Sequence, residues 1–308
     1  MKSTIKLFLD GVEIPVNIFR FSGGEMQVRV DFDEYYEVCV NNFTDSEPVI
    51  YANIRCSDGI MATLLLADAL EKMDVYKHRT IMPYLPYARQ DRVCSPGEAD
   101  ASDILAEVVL ERLAEYKKVV CADIHSKKFY RDYAVVEYEQ WKILDKILES
   151  LKNDYCGRIG IICPDKGAVP KITNWAVATQ NKHPIYYCTK KRDPYSGILS
   201  GFEVNETMPP VDFGLVVDDI CDGGGTFIGL GEKLKEAGWK KLGLYITHGI
   251  FSKGLDDLFK IYDHIITTDT FYSPNLHEPR LIGPDTLRNG QRFTVKYIQH
   301  DLMNFITN

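Results

Sequence analysis

The chain has 308 residues, of which 45% are hydrophobic and 26% are charged. These ordinary globular values exclude a long disordered protein, and no apolar run approaches the roughly 18 residues that span a bilayer. No basic stretch precedes an apolar core near the N-terminus, so a signal peptide is not expected. The formal net charge of −8 disfavours non-specific nucleic-acid binding, because such binding needs a basic surface.

The eight cysteines contain no C-x-x-C pair, so a structural zinc site is not expected. Several of them lie in apolar runs, such as residues 119–121 and 161–163. We interpret them as reduced thiols packed in strands, which is typical of a cytoplasmic enzyme.

The first 50 residues alternate apolar and polar positions around turns at Asp10-Gly11 and Gly23-Gly24, and this pattern predicts hairpin strands. Later apolar runs end in polar segments and are followed by helical patterns; they cover residues 79–82, 118–122, 158–163, 214–217 and 242–246. Strands alternating with helices predict an α/β fold with mainly parallel sheets flanked by helices. Ligands bind beyond the carboxyl ends of such strands, which is where the polar segments fall.

Apolar residues at helical spacing over residues 140–153 predict a packing helix near a domain junction. The length of the chain predicts two α/β domains. We place them at residues 1–145 and 146–308, and the last helix is a candidate to pack back on the N-terminal domain.

One stretch predicts phosphate binding. An apolar run at residues 215–217 leads into Asp218, Asp219 and Asp222, then into the loop Gly223-Gly224-Gly225-Thr226, and then into a helix expected from Phe227 to Ala237. Backbone N–H groups at the start of a helix can hold a phosphate, and glycines let the backbone approach the anion.

The three carboxylates beside this loop would repel a phosphate unless they have another partner. Paired acids can accept hydrogen bonds from the two hydroxyls of a sugar or hold a metal ion through water. A phosphate with vicinal hydroxyls describes a ribose phosphate. The alternative is an ordinary turn between strand and helix with solvated acids.

Residues 218–226 resemble the phosphoribosyl pyrophosphate (PRPP) motif shared by type I phosphoribosyltransferases and ribose-phosphate diphosphokinases (PRPP synthetases). Six other segments resemble the diphosphokinases in order and spacing: residues 21–25, 82–92, 123–126, 163–168, 190–192 and 245–252. The resemblance runs from about residue 20 to the C-terminus. It implies two similar type I phosphoribosyltransferase-like domains.

The resemblance also implies roles for particular residues. Those expected to bind ATP are Phe21, Glu25, Arg89, Gln90, Asp91, Arg92 and His125, with Phe21 and Glu25 reaching the adenine of a neighbouring subunit. Those expected to bind the ribose phosphate are Asp218, Asp219, Asp222, Gly223, Gly224, Gly225 and Thr226. Lys190 and Arg192 would stabilise transition-state charge at the start of a mobile loop. His125 and Asp165 would hold Mg²⁺, the implied cofactor.

The family reaction transfers the β,γ-diphosphate of ATP to the anomeric hydroxyl of ribose 5-phosphate and gives PRPP and AMP. The implied partners are ATP, a ribose 5-phosphate substrate and further copies of the chain in a dimer or hexamer, without nucleic acid or membrane.

The loop departs from the usual family pattern Asp-Thr-Gly-Gly-Thr, since Gly223 stands where threonine is common. A roomier cradle would admit a larger 5′-substituted ribose, such as ADP-ribose, which would give ADP-ribose 1-diphosphate. Two further alternatives are a phosphoribosyltransferase that consumes PRPP and a non-catalytic regulatory homologue.

Overall fold

The computed structural model describes the chain except for residues 1–2, 43–45, 115–117, 127, 129–134, 156, 182, 193–198, 205–208, 273–285, 289–290 and 308. It forms two compact units. The first unit comprises Met1–Tyr138 and Gln299–Asn308, and the second comprises Glu139–Ile298. The boundary expected at residues 145/146 falls inside the helix that begins the second unit.

The strands of the first unit are β1 (Thr4–Leu9), β2 (Val12–Ile14), β3 (Val16–Arg20), β4 (Met26–Val30), β5 (Val49–Asn53), β6 (Arg79–Met82), β7 (Val119–Ala122) and β8 (Val135–Tyr138). Its helices are α1 (Phe32–Asn42), α2 (Ser57–Glu71), α3 (Ala101–Leu105), α4 (Glu111–Ala114) and, last in chain order, α9 (Gln299–Thr307). A π-helix, Ala106–Leu110, joins α3 to α4.

Among the described residues, the main sheet of this unit has the order β2-β1-β5-β6-β7-β8. Strands β5 to β8 are parallel, whereas β1 runs antiparallel to both β2 and β5. Every residue of β5 and β7 is buried, as expected of strands covered on both faces. Strands β3 and β4 form a separate hairpin.

The strands of the second unit are β9 (Ile159–Cys163), β10 (Ile185–Arg192), β11 (Leu199–Val204), β12 (Phe213–Cys221), β13 (Leu242–Gly249), β14 (His264–Thr268), β15 (Thr286–Arg288) and β16 (Gln291–Lys296). Its helices are α5 (Gln140–Asp154), α6 (Val169–Ala178), α7 (Gly225–Glu236) and α8 (Asp256–Phe259).

Within the described ranges, the second sheet has the order β11-β10-β9-β12-β13-β14-β16-β15. Its interior strands are parallel, and β11 and β15 are antiparallel edge strands. The central strand β12 therefore lies between β9 and β13. The segments that follow these three strands meet at one edge of the sheet.

The α/β fold class predicted from the sequence is confirmed. The five apolar runs became strands β6, β7, β9, β12 and β13, and four of the cysteines are buried within strands: Cys121, Cys163, Cys188 and Cys221. In the described part of the chain, no helix combines the length and the apolar character needed to cross a membrane.

Candidate active site

The glycine-rich loop joins the end of β12 to the start of α7. Gly224 caps the helix with a φ of 77°, a conformation that favours glycine, and its carbonyl accepts the N–H groups of Phe227 and Ile228 at 3.0 Å. A Cβ at Gly224 would also lie 3.3 Å from the side chain of Leu258. Helix α7 begins at Gly225, two residues before the predicted start at Phe227. Because Gly224 caps the helix, Gly225 and Thr226 belong to its first turn.

The space around Gly225 is open, since a Cβ placed there would meet nothing within 4 Å. No side chain at Gly225 therefore blocks a ligand from the backbone N–H groups of the first turn of α7. Such a turn can receive a phosphate group. Asp222, Gly223 and Thr226 are half-buried around it.

Asp218 and Asp219, near the end of β12, have different hydrogen-bond partners. The carboxylate of Asp218 accepts the backbone N–H of Asp219 at 2.9 Å. The carboxylate of Asp219, which is 7% exposed, accepts a hydrogen bond from Lys171 Nζ at 2.8 Å. Burial raises the pKa of Asp218 well above its usual value, and the charges of Asp219 and Asp165 act in the same direction.

Asp165 begins the turn between β9 and α6. Its Oδ1 accepts the backbone N–H groups of Gly167 at 2.8 Å and Ala168 at 3.2 Å, so the turn orients the carboxylate. Because β9 and β12 are adjacent and parallel, Asp165 and Asp218 lie at the same edge of the sheet, and the charge of Asp165 helps to raise the pKa of Asp218.

The structure describes the backbone of Lys190 and Arg192 but not their side chains. Both residues lie at the end of β10, which pairs antiparallel with β11, and the pairing register shifts between Lys191 and Arg192. The flexible loop expected at residues 193–197 lies outside the described residues. The catalytic roles of Lys190 and Arg192 therefore stay predictions.

In the first unit, the residues expected to bind ATP follow two neighbouring parallel strands. Arg89 and Gln90 are exposed after β6, Asp91 is half-buried, and the side chain of Arg92 is 83% exposed. His125 is exposed after β7. Because β6 and β7 are parallel and adjacent, this polar segment and His125 reach the same edge of the first sheet.

The turn between β3 and β4 presents Phe21 and Glu25. Its backbone is closed by hydrogen bonds from Phe21 N to Glu25 O and from Gly24 N to Phe21 O, both 2.9 Å. Phe21 is 54% exposed, and Glu25 is exposed as well. A Cβ at Gly23 would lie 2.7 Å from Glu25 Oε2, so a larger residue at position 23 would shift the exposed Glu25 carboxylate.

Two lysines near the glycine-rich loop were missed by the sequence reading. Lys171 reaches Asp219 from α6, and the methylene carbons of Lys253 lie beside Gly223. Each is distant from its partner along the chain, so no local motif marks it. The contacts appear only once the strand order is known.

Comparison with known proteins supports the resemblance seen in the sequence. A family model described as the N-terminal domain of ribose phosphate pyrophosphokinase matches residues 4–115. The ribose-phosphate pyrophosphokinase of Pyrococcus furiosus is 30% identical over 271 residues, which cover 84% of this chain and 87% of that protein. The same enzyme of Thermococcus kodakarensis is 28% identical over 271 residues, 85% of this chain and 87% of that protein.

A solved structure shares the fold. The phosphoribosylpyrophosphate synthetase of Mycobacterium smegmatis superposes with a TM-score of 0.72 at 22% identity, over 97% of this chain and 91% of that chain. The sequence relatives and the shared fold agree with the collinear motifs, and the chain therefore belongs to the ribose-phosphate pyrophosphokinase family.

Proposed function

We propose that this protein transfers the β,γ-diphosphate of ATP to the anomeric hydroxyl of a ribose 5-phosphate substrate and releases AMP. The observation that carries the proposal is the end of β12, where Asp218 and Asp219 lie a few residues before Gly224, the glycine cap of α7. Carboxylates suit the ribose hydroxyls, and the helix start suits the 5′-phosphate. Family membership supplies the reaction class.

The chemistry relies on positioning and on neutralising charge. Asp218 and Asp219 orient the ribose so that its anomeric oxygen attacks the β-phosphorus in line, while Gly223 to Thr226 hold the 5′-phosphate. Lys190 and Arg192 stabilise the charge that develops on the transferred diphosphate. Arg89, Gln90, Asp91 and Arg92 bind the nucleotide, with Phe21 and Glu25 supplied by another copy of the chain.

Magnesium is the implied cofactor, and the residues present fit it. The described residues contain no group of three or more His, Cys, Asp or Glu side chains arranged to hold a metal ion. Mg²⁺ keeps several waters and binds through one or two protein ligands and substrate phosphates, and Asp165 offers a carboxylate oriented by its turn. His125 and Asp165 would hold the ion, which neutralises phosphate charge when bound.

A larger acceptor is the second candidate substrate. Gly223 adds no side chain to the loop, although the methylenes of Lys253 lie beside it, and the space over Gly225 is open. The opening over Gly225 favours room at the 5′ end of the ribose, so a 5′-substituted ribose such as ADP-ribose is a candidate acceptor for the same chemistry.

The test is an assay for AMP with the protein, ATP, Mg²⁺ and either ribose 5-phosphate or ADP-ribose. AMP formed only when an acceptor is present supports the proposal, and the better acceptor identifies the substrate. Consumption of PRPP without ATP would instead indicate a phosphoribosyltransferase. No AMP with any acceptor, despite a folded protein, would indicate a non-catalytic regulatory homologue.

A further inference from the structure

The loop after β13 is fastened to the glycine-rich loop by its backbone. The N–H groups of Ile250 and Phe251 donate to Cys221 O at 2.9 and 3.1 Å, and the N–H of Ser252 donates to Asp222 O at 3.1 Å. Gly254 N closes the turn on Phe251 O at 2.8 Å. The position of the Lys253 backbone is therefore set by the loop that caps α7.

The buried ring of Phe251 anchors the loop that follows β13 to the core of the second unit. Phe251 is 2% exposed, and its ring packs edge-to-face at 6.3 Å against the rings of Tyr272 and Phe293. An anchored turn presents the next exposed side chain in a restricted position, which lowers the conformational entropy lost when that side chain binds a ligand.

The side chain of Lys253 lies across Gly223. A Cβ built on Gly223 would be 3.4 Å from both Cδ and Cε of Lys253, which is ordinary contact. Since Nζ is bonded to Cε, the ammonium group is one bond away from the carbons that contact Gly223. Lys253 is exposed, and within the described part of the chain no ion pair joins it to a carboxylate.

The charge of the loop itself makes this lysine significant. Residues 213–232 contain Asp218, Asp219 and Asp222 but neither lysine nor arginine. A phosphate held by α7 would therefore meet backbone N–H groups and nearby carboxylates, with no cation from its own segment. A lysine ammonium is a mobile point charge well suited to a phosphate oxygen.

We infer that Lys253 is a specificity-determining residue that binds the 5′-phosphoryl group of the acceptor, with its methylene chain beside Gly223. The inference rests on the proposed function, because it assigns the 5′ end of the acceptor to this loop. The ligand chemistry is a phosphate ester on a pentose, which could be a terminal 5′-phosphate or the 5′-diphosphate of ADP-ribose.

The matched variants are Lys253→Met, which keeps a side chain across Gly223 without the charge, and Lys253→Arg, which keeps a charge. Gly223→Thr adds a branched side chain against the lysine methylenes. Lys240→Met is the control, because Lys240 is exposed and precedes β13 at the opposite edge of the sheet.

Two measurements separate this inference from the proposed function. Isothermal titration calorimetry with ribose 5-phosphate and with ADP-ribose measures binding, and AMP release measures turnover. Loss of a charge-assisted hydrogen bond predicts that Lys253→Met weakens acceptor binding and raises the acceptor KM about tenfold. We expect kcat and the KM for ATP to change less than about twofold. The contact between Lys253 and the 5′-phosphoryl group is equally strong in the bound substrate and in the transition state, so its loss affects binding and not turnover.

Recovery of affinity in Lys253→Arg, weakening in Gly223→Thr and no change in Lys240→Met complete the expected result. An equal effect on both acceptors assigns Lys253 to the phosphate next to the ribose, whereas an effect on ADP-ribose alone assigns it to the second phosphate. Unchanged affinity for both acceptors in Lys253→Met overturns the inference, even if the wild-type protein releases AMP. Binding without AMP release would overturn the proposed function alone.

Discussion

Lys171 Nζ lies 2.8 Å from Asp219 Oδ2, and the two side chains are only 21% and 10% exposed. This ion pair joins α6 to the end of β12. It fixes one of the two aspartates that we propose as ligands of the ribose hydroxyls. It also places a positive charge beside Asp218, where that charge acts against the rise in the pKa of its carboxyl group.

We expect Lys171→Met to lower both stability and acceptor affinity. The change leaves the Asp219 carboxylate buried without its cation, which should lower the free energy of unfolding by about 2 kcal/mol. The freed carboxylate should also raise the acceptor KM about tenfold, since a hydrogen bond that orients it is lost. Urea unfolding and AMP release measure the two effects.

Lys171→Arg keeps a donor and a charge, so it should recover most of the acceptor affinity. A merely structural lysine would change stability without changing KM. Wild-type values of both quantities in Lys171→Met would show that the ion pair does not position Asp219.

Asp218→Asn should fold at least as stably as the wild-type protein at pH 7. Burial and the neighbouring carboxylates raise the pKa of Asp218 in the folded protein. Above the pKa of an unfolded aspartate, the unfolded state therefore loses this proton more readily than the folded state, and Asp218 destabilises the fold. An amide removes that penalty while it keeps the shape. The acceptor KM should rise about tenfold, because an amide replaces one acceptor oxygen with a donor.

Thermal unfolding at pH 7, together with AMP release, tests this separation of stability from function. A clear loss of stability in Asp218→Asn would contradict the physical account of the carboxylate cluster. An unchanged acceptor KM would remove Asp218 from the ribose site.

Lys190→Ala should keep the fold and much of the substrate binding while turnover falls by roughly 10²–10³. The reason is that a cation facing the transferred diphosphate stabilises charge that appears in the transition state. Steady-state AMP release at saturating ATP and acceptor measures the change. Lys191→Ala is the control, since Lys191 is the intervening residue on β10 and is not assigned a role. Unaltered turnover in Lys190→Ala would exclude this lysine from the mechanism.

His78 should make the stability of the protein depend on pH. It is 1% exposed just before β6, and burial, helped by the nearby charge of Arg112, lowers its pKa to about 4. The unfolded histidine has a pKa near 6.5, so the unfolded state binds more protons between these values. Stability therefore falls as the pH drops from about 6.5 to about 4, by up to about 3 kcal/mol from this group.

His78→Gln lacks the titrating ring, so its free energy of unfolding should fall less over the same pH range. Urea unfolding of both proteins at pH 7 and pH 4.5 gives the comparison. Parallel losses of stability in the two proteins would show that other groups cause the acid sensitivity.

Much of the fold follows from local pattern in the sequence. The alternating residues around Asp10-Gly11 became the hairpin of β1 and β2, in which Asp10 and Gly11 have φ values of 50° and 80°. The helix predicted over residues 140–153 is α5, Gln140–Asp154. In both cases the determining contacts are close in sequence, so periodicity and turn residues suffice.

The candidate site was only partly predictable, because its remaining contacts join distant segments. The sequence suggested a roomier loop at Gly223, but the structure places the methylenes of Lys253 beside that residue. Lys171 and Asp219 are 48 residues apart along the chain. Such pairings depend on strand order and on the packing of helices against the sheet, which residue patterns do not specify.

Helix α9 has a consequence for how the protein is made. Leu302 and Ile306 on this helix are buried, and the ring of Phe305 meets that of Tyr138 in the first unit at 5.3 Å. Arg79, at the start of β6, donates to the backbone carbonyl of Ile306. A ribosome synthesises these residues only after the whole of the second unit. Until then, the apolar surface of the first unit that α9 covers in the folded protein stays exposed. Chaperones that hold nascent chains would find their binding surface there, on the half of the protein that emerged first.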